Sequence, residues 1–274
     1  MILQNLHTHS LWDDGQNSTD EMVRAAIAAG LTSVGFSGHS PVPFPAEWTI
    51  AKEDLPAYRA EVRRLQETYA GRIAIYCGLE WDLLSEPDFT DCDYVIGSIH
   101  HIPLETETIN VDNSPEETKR YLSACFSGNA DAAAKAFFAQ YGALAEIAET
   151  DIVGHFDLIT KFDERRHFFD AESPAYTSAA LEAMEALVKK DKIFEINTGA
   201  ISRGYRTTPY PSRDLLAALN KMGGRITISS DAHTADGIVC SFGLAEELAL
   251  SCGFKEIWNY DGSGFVPVGI GERK

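Results

Sequence analysis

Histidines and carboxylates recur along this chain in short motifs. His7, His9 and Asp14 fall in HTHSLWDDG, His39 in SGHS and Glu80 in GLEWD. His100 falls in GSIHH, His155 in GHFD, and Asp231 and His233 in SSDAH. Imidazole and carboxylate without thiolate suit zinc, manganese or iron, and the residue types do not choose among them. In a strand-like backbone the two histidines of an HTH triplet point to the same side, so both can reach one cation. The same holds for Asp231 and His233. Nine candidate ligands exceed what one tetrahedral ion takes, which points to a cluster. Three divalent ions would carry six positive charges. Asp14, Glu80, Asp231 and a bridging hydroxide would leave about two, which a phosphate monoester dianion neutralises. A hydroxide shared by cations is a nucleophile near neutral pH, because one catalytic zinc already brings the pKa of water to about 7.

These residues must be brought together by the elements that carry them. Short apolar runs rich in β-branched residues occur at Ile2 to Leu6, Ser33 to Phe36, Ile73 to Leu79, Tyr94 to Ile99, Ile152 to Val153, Ile193 to Ile196, Ile226 to Ser229 and Glu256 to Trp258. They read as strands of a parallel sheet covered on both faces. Helical segments lie between them. Ser18 with Glu21 forms a capping box and Gly30 stands where a helix would stop. Ser114, Pro115 and Glu117 form another helix start. Leu55, Tyr58, Val62, Leu65 and Tyr69 share one helix face that ends near Gly71. Repeated strand-helix units imply a (β/α) barrel, whose active sites gather at the C-terminal ends of the strands. Of the eight histidines, six stand just after an apolar run, and His101 and His167 are left outside the cluster.

Composition narrows the function classes. With 45% hydrophobic and 23% charged residues in 274, the chain can build a sizeable core. No linker or low-complexity tract divides it, so residues 1–274 are expected to form one domain. A net charge of -18 disfavours nucleic acid and anionic lipid as partners and favours a small diffusible substrate. No window of about 18 apolar residues and no secretory leader pattern is present, so a cytoplasmic protein is expected. The five cysteines lack CxxC spacing and read as reduced, mostly buried thiols. GxGxxG, GxxxxGK[ST] and GxSxG are all absent, which removes the usual nucleotide-binding and serine-hydrolase readings. Lys161 and Arg203, on loops after motif strands, are candidates for holding phosphate oxygens. Arg165, Arg166 and Arg206 stand in reserve.

In order and spacing, HTHSLWDDG, GHS, GLEWD, GSIHH, GHFD and SSDAH resemble the motifs of the polymerase and histidinol phosphatase (PHP) family, from Leu6 to His233. YCGLEWD, YVIGSIHHI, GHFDLITKF, EINTGA with Arg203, and YPS at Tyr210 to Ser212 resemble its monofunctional histidinol-phosphate phosphatases. The resemblance implies an α/β fold, a distorted (β/α)7 TIM-like barrel, with three divalent metal ions. It implies that His7, His9, Glu80 and Asp231 hold one ion, and that Glu80 bridges to a second held by His100 and His155. Asp14, His39 and His233 would hold the third; some family members carry histidine where Asp14 stands. Glu80, Asp231 and His233 would then act at the reacting centre, with a metal-bound water or Asp231 as the proton donor. The implied reaction is hydrolysis of L-histidinol phosphate. Alternatives are a nucleotide or phosphotyrosine substrate, an exonuclease, which the acidic charge weakens, and a metal-binding barrel without turnover.

Overall fold

The structure, a computed structural model, describes residues 2–103 and 107–271. Eleven strands are present among the described residues: β1 Gln4–Asn5, β2 Ser33–Phe36, β3 Ala74–Asp82, β4 Tyr94–Ser98, β5 His101–Pro103, β6 Thr108–Asn110, β7 Ile152–Val153, β8 Ile193–Asn197, β9 Arg225–Ser229, β10 Glu256–Tyr260 and β11 Phe265–Gly269. Seven of them form one sheet in the order β1-β2-β3-β4-β7-β8-β9, with every neighbouring pair parallel. The sheet curls into a nearly closed barrel. A bridge between Thr8 and Ala232 joins its two edges at the C-terminal end.

Below that bridge, side chains replace the ladder between β1 and β9. Buried Asn5 donates to Ser230 Oγ at 2.7 Å and to the Ile238 carbonyl at 2.9 Å. Gln4 both donates to and accepts from the backbone of Tyr260, at 2.8 Å each way. The run Glu256 to Trp258, expected as a further parallel strand, is therefore something else. It is the first arm of the antiparallel hairpin β10-β11, which seals the base of the barrel. The same β-branched composition serves both pairings, and the Asp261-Gly262-Ser263-Gly264 turn reverses the chain before a crossover helix can form.

Side chains alternate between the interior of the barrel and the helical layer outside it. From β3, Ile75, Cys77 and Leu79 join the outer core, whereas Tyr76 packs inward and Glu80 faces the centre. Leu6, Tyr94, Ile96, Ile152 and Ile193 make an apolar plug inside, capped by Trp258, Tyr260 and Phe265 of the hairpin. Tyr94 spans this interior to hydrogen-bond the Leu6 carbonyl. It can lie flat only because β2 and β3 offer Gly35 and Gly78. A Cβ at either would come within 2.3 Å of the Tyr94 ring or hydroxyl. Nearer the mouth the inward residues become polar: Glu80, Ser98, Glu195, Asn197 and Ser229. An apolar floor thus carries a charged upper layer.

The helices start and end as the sequence predicts. Ser18 and Glu21 cap the helix Thr19–Ala28 reciprocally, and Ser114 caps Pro115–Arg120. The helix Leu55–Thr68 buries Leu55, Tyr58, Val62 and Leu65 against the sheet. Phe137, Phe138 and Phe156 are fully buried, each contributing about 1.5 to 3 kcal/mol by leaving water. Only Cys77 and Cys252 of the five free cysteines are buried; the other three are partly exposed, because they sit on loops and helix ends. No helix of the described residues is long and apolar enough to cross a membrane.

Candidate metal centre

Each strand of the barrel delivers its motif to the same mouth. Glu80, in the last turn of pleating of β3, lies at the middle. Its Oε2 is 3.2 Å from His7 Nε2, 3.6 Å from His9 Nε2 and 2.9 Å from His39 Nδ1. Its Oε1 is 2.8 Å from His155 Nε2 and 3.3 Å from His100 Nε2, and accepts from Ser98 Oγ at 2.7 Å. Asp231 Oδ1 lies 3.2 Å from His9 Nε2 and 3.8 Å from His7 Nε2. At the outer edge Asp14 Oδ1 is 3.2 Å from His233 Nε2 and 3.7 Å from His39 Nε2. All nine residues singled out in the sequence thus meet in one place. His101 and His167 belong to none of the groups.

Among the described residues, three groups have ligand atoms close enough to share an ion: His7, His9 and Glu80; His39, Glu80 and His100; and His9, Asp14, His39 and His233. The first and third overlap the sets implied by the family resemblance. The second has His39 where that resemblance has His155, although His155 Nε2 touches the same Glu80 oxygen.

The donor set fits divalent cations by a test independent of distance. His7 Nε2, His9 Nε2 and Glu80 Oε2 are buried without a hydrogen-bond partner, even though they face one another. Each orphaned ring nitrogen is aimed by a bond on the other side of its ring. His7 Nδ1 meets Glu195 Oε1 at 2.6 Å and His9 Nδ1 meets Asp13 Oδ2 at 2.6 Å. A carboxylate behind the imidazole places the proton on Nδ1 and turns the Nε2 lone pair inward, the arrangement that metal-binding histidines use. Asp82 does related work for its neighbours, receiving the His100 backbone N–H at 3.1 Å and His101 Nδ1 at 3.0 Å.

Electrostatics in the mouth follow from this crowding. Burial alone would lower the pKa of His7, but Glu195, Glu80 and Asp231 outweigh it and raise it well above the usual value. Burial likewise opposes protonation of His9, yet Asp13 and Asp231 push it up to about 10. Burial would raise Glu80 and Asp231, yet the histidines around Glu80, and Arg203 and His7 beside Asp231, hold both well below the ordinary carboxylate range. His233 is lowered, by burial and by the charge on His9. Protons on imidazoles here balance carboxylates, a role that divalent ions fill equally well.

Two of the candidate ligand positions carry unusual backbone. Asp231 has φ 47 and His155 φ 21, a region that side chains other than glycine rarely occupy. Such residues concentrate at functional sites, where surrounding contacts over-determine them. Here the Arg203 guanidinium meets Asp231 Oδ2 at 2.9 Å.

A cavity of about 250 Å³ opens beyond the cluster. Lys161 and Arg203 both line it, Lys161 paired with Asp112 at 2.9 Å and Arg203 set between Asp231 and His233. The reserve arginines do not reach it. Arg206 stacks on Tyr210, 4.4 Å from the ring centre, Arg165 donates to the Gly204 carbonyl at 2.7 Å, and Arg166 is exposed. Trp48 forms a further wall, edge-on to His39 and stacked on His101.

Sequence reasoning missed the residues behind the ligands: Asp13, Asp82 and Glu195. Glu195 had a signal, since it is a lone acid inside the apolar run IFEIN. Asp13 and Asp82 sit inside quoted motifs but look like ordinary neighbours of Asp14 and Glu80.

The chain is similar to known proteins over nearly its whole length. The histidinol-phosphatase of Lactococcus lactis is 30% identical over 273 residues, covering 93% of this chain and 93% of that protein. A crystal structure of the histidinol phosphate phosphatase from Lactococcus lactis, in complex with zinc, L-histidinol and phosphate, superposes with a TM-score of 0.72 at 24% identity. The match covers 96% of this chain and 98% of that one. The Listeria monocytogenes hisK structure superposes with a TM-score of 0.77 at 20% identity, covering 88% and 99%. The pattern of the PHP domain matches residues 5–199. The near-closed parallel barrel, the clustered candidate ligands at its mouth and this match agree: the chain belongs to the PHP domain family.

Proposed function

We propose that this protein is a metal-dependent phosphatase that hydrolyses L-histidinol phosphate to L-histidinol and phosphate. One observation carries the reading: the partnerless, inward-turned Nε2 atoms of His7 and His9 face the shared carboxylate of Glu80. The chain that holds them is similar from end to end to a histidinol-phosphatase.

The reading assigns three divalent ions, of zinc, manganese or iron, to the mouth. His7, His9, Glu80 and Asp231 would hold one, Glu80 with His100 and His155 a second, and Asp14, His39 and His233 a third. When bound, such ions activate water and stabilise charge on the phosphoryl oxygens. The chain's own residues do the rest. Lys161 and Arg203 hold phosphate oxygens from the cavity wall. Asp231, an ionised carboxylate at the reacting centre with Glu80 and His233, takes the proton that the attacking water gives up and passes it to the leaving alkoxide as the phosphorus–oxygen bond breaks and water's oxygen takes its place. Tyr94 and the apolar plug beneath it keep solvent from entering by the base.

The test is metal removal and replacement. Prolonged chelation should abolish phosphate release from L-histidinol phosphate, and zinc, manganese or iron should restore it. A nucleoside monophosphate and phosphotyrosine should be poorer substrates in the same assay. Full activity in metal-free protein sinks the proposal, and faster turnover of either alternative ester reassigns the substrate.

A further inference from the structure

Arg206 is buried beside the cavity but does not line it. A guanidinium taken out of water is costly unless its donors are used. Here they join two connections of the chain. Nη1 donates to the Thr160 carbonyl at 3.4 Å and to the Thr160 hydroxyl. Nε and Nη2 donate to the carbonyl and the hydroxyl of Thr208, each at 3.3 Å. Burial opposes the charge of Arg206, and Asp157, Tyr210 and Glu164 offset that.

The two connections are those that carry Lys161 and Arg203. Lys161 follows Thr160 directly, on the connection after β7. That strand pairs only Ile152 and Val153 with its neighbours, so few ladder bonds hold the start of the connection. Arg203 follows the short helix Gly199–Ser202 after β8. The chain then turns through Gly204, at φ 72, back to Tyr210, which pairs with Asn197. Other links support the same junction: Glu164 accepts the Thr207 N–H at 2.8 Å, Arg165 donates to the Gly204 carbonyl at 2.7 Å, and Asp157 accepts the Ser212 N–H at 3.0 Å. The first two of these lie at the surface, where water competes with them. The bonds from Arg206 to Thr160 are buried and sit next to Lys161 in the chain, where the same bonds are stronger.

We infer that Arg206 is a positioning residue that fixes the spacing of Lys161 and Arg203, so that a phosphate group meets both cations at once. This rests on the phosphatase reading above, in which those two residues hold phosphate oxygens, and adds what sets their separation. Two cations converge on one dianion only if the backbones that carry them keep a set distance. An error of about 1 Å in placing such a group can cost about 100-fold. The fork of the guanidinium does this rather than its charge, because a lysine ammonium is a point charge on a flexible stem and does not hold Thr160 and Thr208 in one plane.

The experiment measures binding of inorganic phosphate to the zinc-loaded protein by isothermal titration calorimetry, beside kcat and KM for L-histidinol phosphate. Arg206→Met should weaken phosphate binding by about 10 to 100-fold and raise KM by a similar factor, with kcat changed less and zinc content unchanged. Arg206→Lys, which keeps the charge, should be nearly as weak. In a Lys161→Met background there is no spacing left to keep, so Arg206→Met should cost less than about threefold more. Thr160→Val removes the buried hydroxyl partner and keeps the arginine; it should weaken phosphate by about 3 to 10-fold, and it serves if Arg206→Met folds poorly. Wild-type affinity in any of these three variants overturns the proposal. So does an equal loss from Arg206→Met with and without Lys161, the mark of general damage to the fold. If Lys161→Met and Arg203→Met both bind phosphate as the wild type does, the reading of those two residues fails and this proposal with it. A loss in those two variants with none in Arg206→Met defeats this proposal alone.

Discussion

Replacing Glu195 with glutamine separates the work of orienting a ligand from the work of binding a cation. The Glu195 carboxylate has its capacity filled: Oε1 receives His7 Nδ1 at 2.6 Å and the Ser229 hydroxyl, and Oε2 receives the His155 backbone N–H at 3.0 Å and Asn197 Nδ2 at 2.8 Å. An amide has one oxygen and one NH2. Whichever way it turns, its NH2 faces two donors, so two bonds to a charged acceptor are lost. At about 1.5 to 3 kcal/mol each, the fold should lose about 3 to 6 kcal/mol. His7 is left facing that NH2 or bonded to a neutral amide oxygen in place of a carboxylate, and weakening the bond that fixes its tautomer costs about 10 to 100-fold in affinity for the ion it would hold. The group of His9, Asp14, His39 and His233 makes no bond to Glu195. Equilibrium dialysis against buffered zinc should therefore show one binding step weakened by about 10 to 100-fold, with the step of the outer group within about threefold of wild type. Circular dichroism at the same temperature checks that the variant is folded. Unchanged binding, or an equal shift in every step, refutes the argument that Glu195 acts through His7.

Glu80→Gln should lower kcat/KM by about three orders of magnitude or more, since one carboxylate serves two ligand groups; near-normal turnover with normal metal content would show Glu80 to be an ordinary strand-end acid. His101→Ala should keep its metal, because His101 meets Asp82 and lies between Phe44 and Trp48; metal loss there, with retention in His100→Ala, would put the register one residue off. Asp163 should give a pH-dependent stability of defined sign. Burial pushes its carboxyl up to about 6, so it weakens the fold as pH rises through that value. Asp163→Asn keeps an acceptor for the Phe168 N–H and should gain about 1 to 2 kcal/mol at pH 8, after discounting for partial exposure, and nothing at pH 4. Urea midpoints that do not differ between the two pH values would contradict this.

Most of the candidate ligands were legible because they sit at or just after a hydrophobic run, and parallel strands deliver such positions to one mouth. His7, His39, Glu80, His100, His155 and Asp231 needed only that rule. What was not legible depends on partners far away in sequence. Glu195 looks like a charge in the wrong place until His7, 188 residues away, is seen beside it. The hairpin β10-β11 shares its composition with a buried parallel strand; the turn from Asp261 to Gly264 is its local signal, and where it packs is set by Gln4 meeting Tyr260. Asp112 and Trp48 reach the cavity on connections whose path no periodicity predicts.

The seam between the two edges of the barrel has a consequence for how the protein comes into being. His7 and His9 are synthesised well before the groups that fix them: Ala232 for their backbone, Ser230 for Asn5 and Tyr260 for Gln4, the last pair 256 residues apart. At about 5 to 20 residues per second, these two histidines wait roughly 10 to 50 s on the ribosome before their place exists. Cation capture at the inner position therefore waits until the chain as far as Tyr260 has been made. The hairpin β10-β11, which carries none of the nine candidate ligands, is the step after which the inner site first becomes whole.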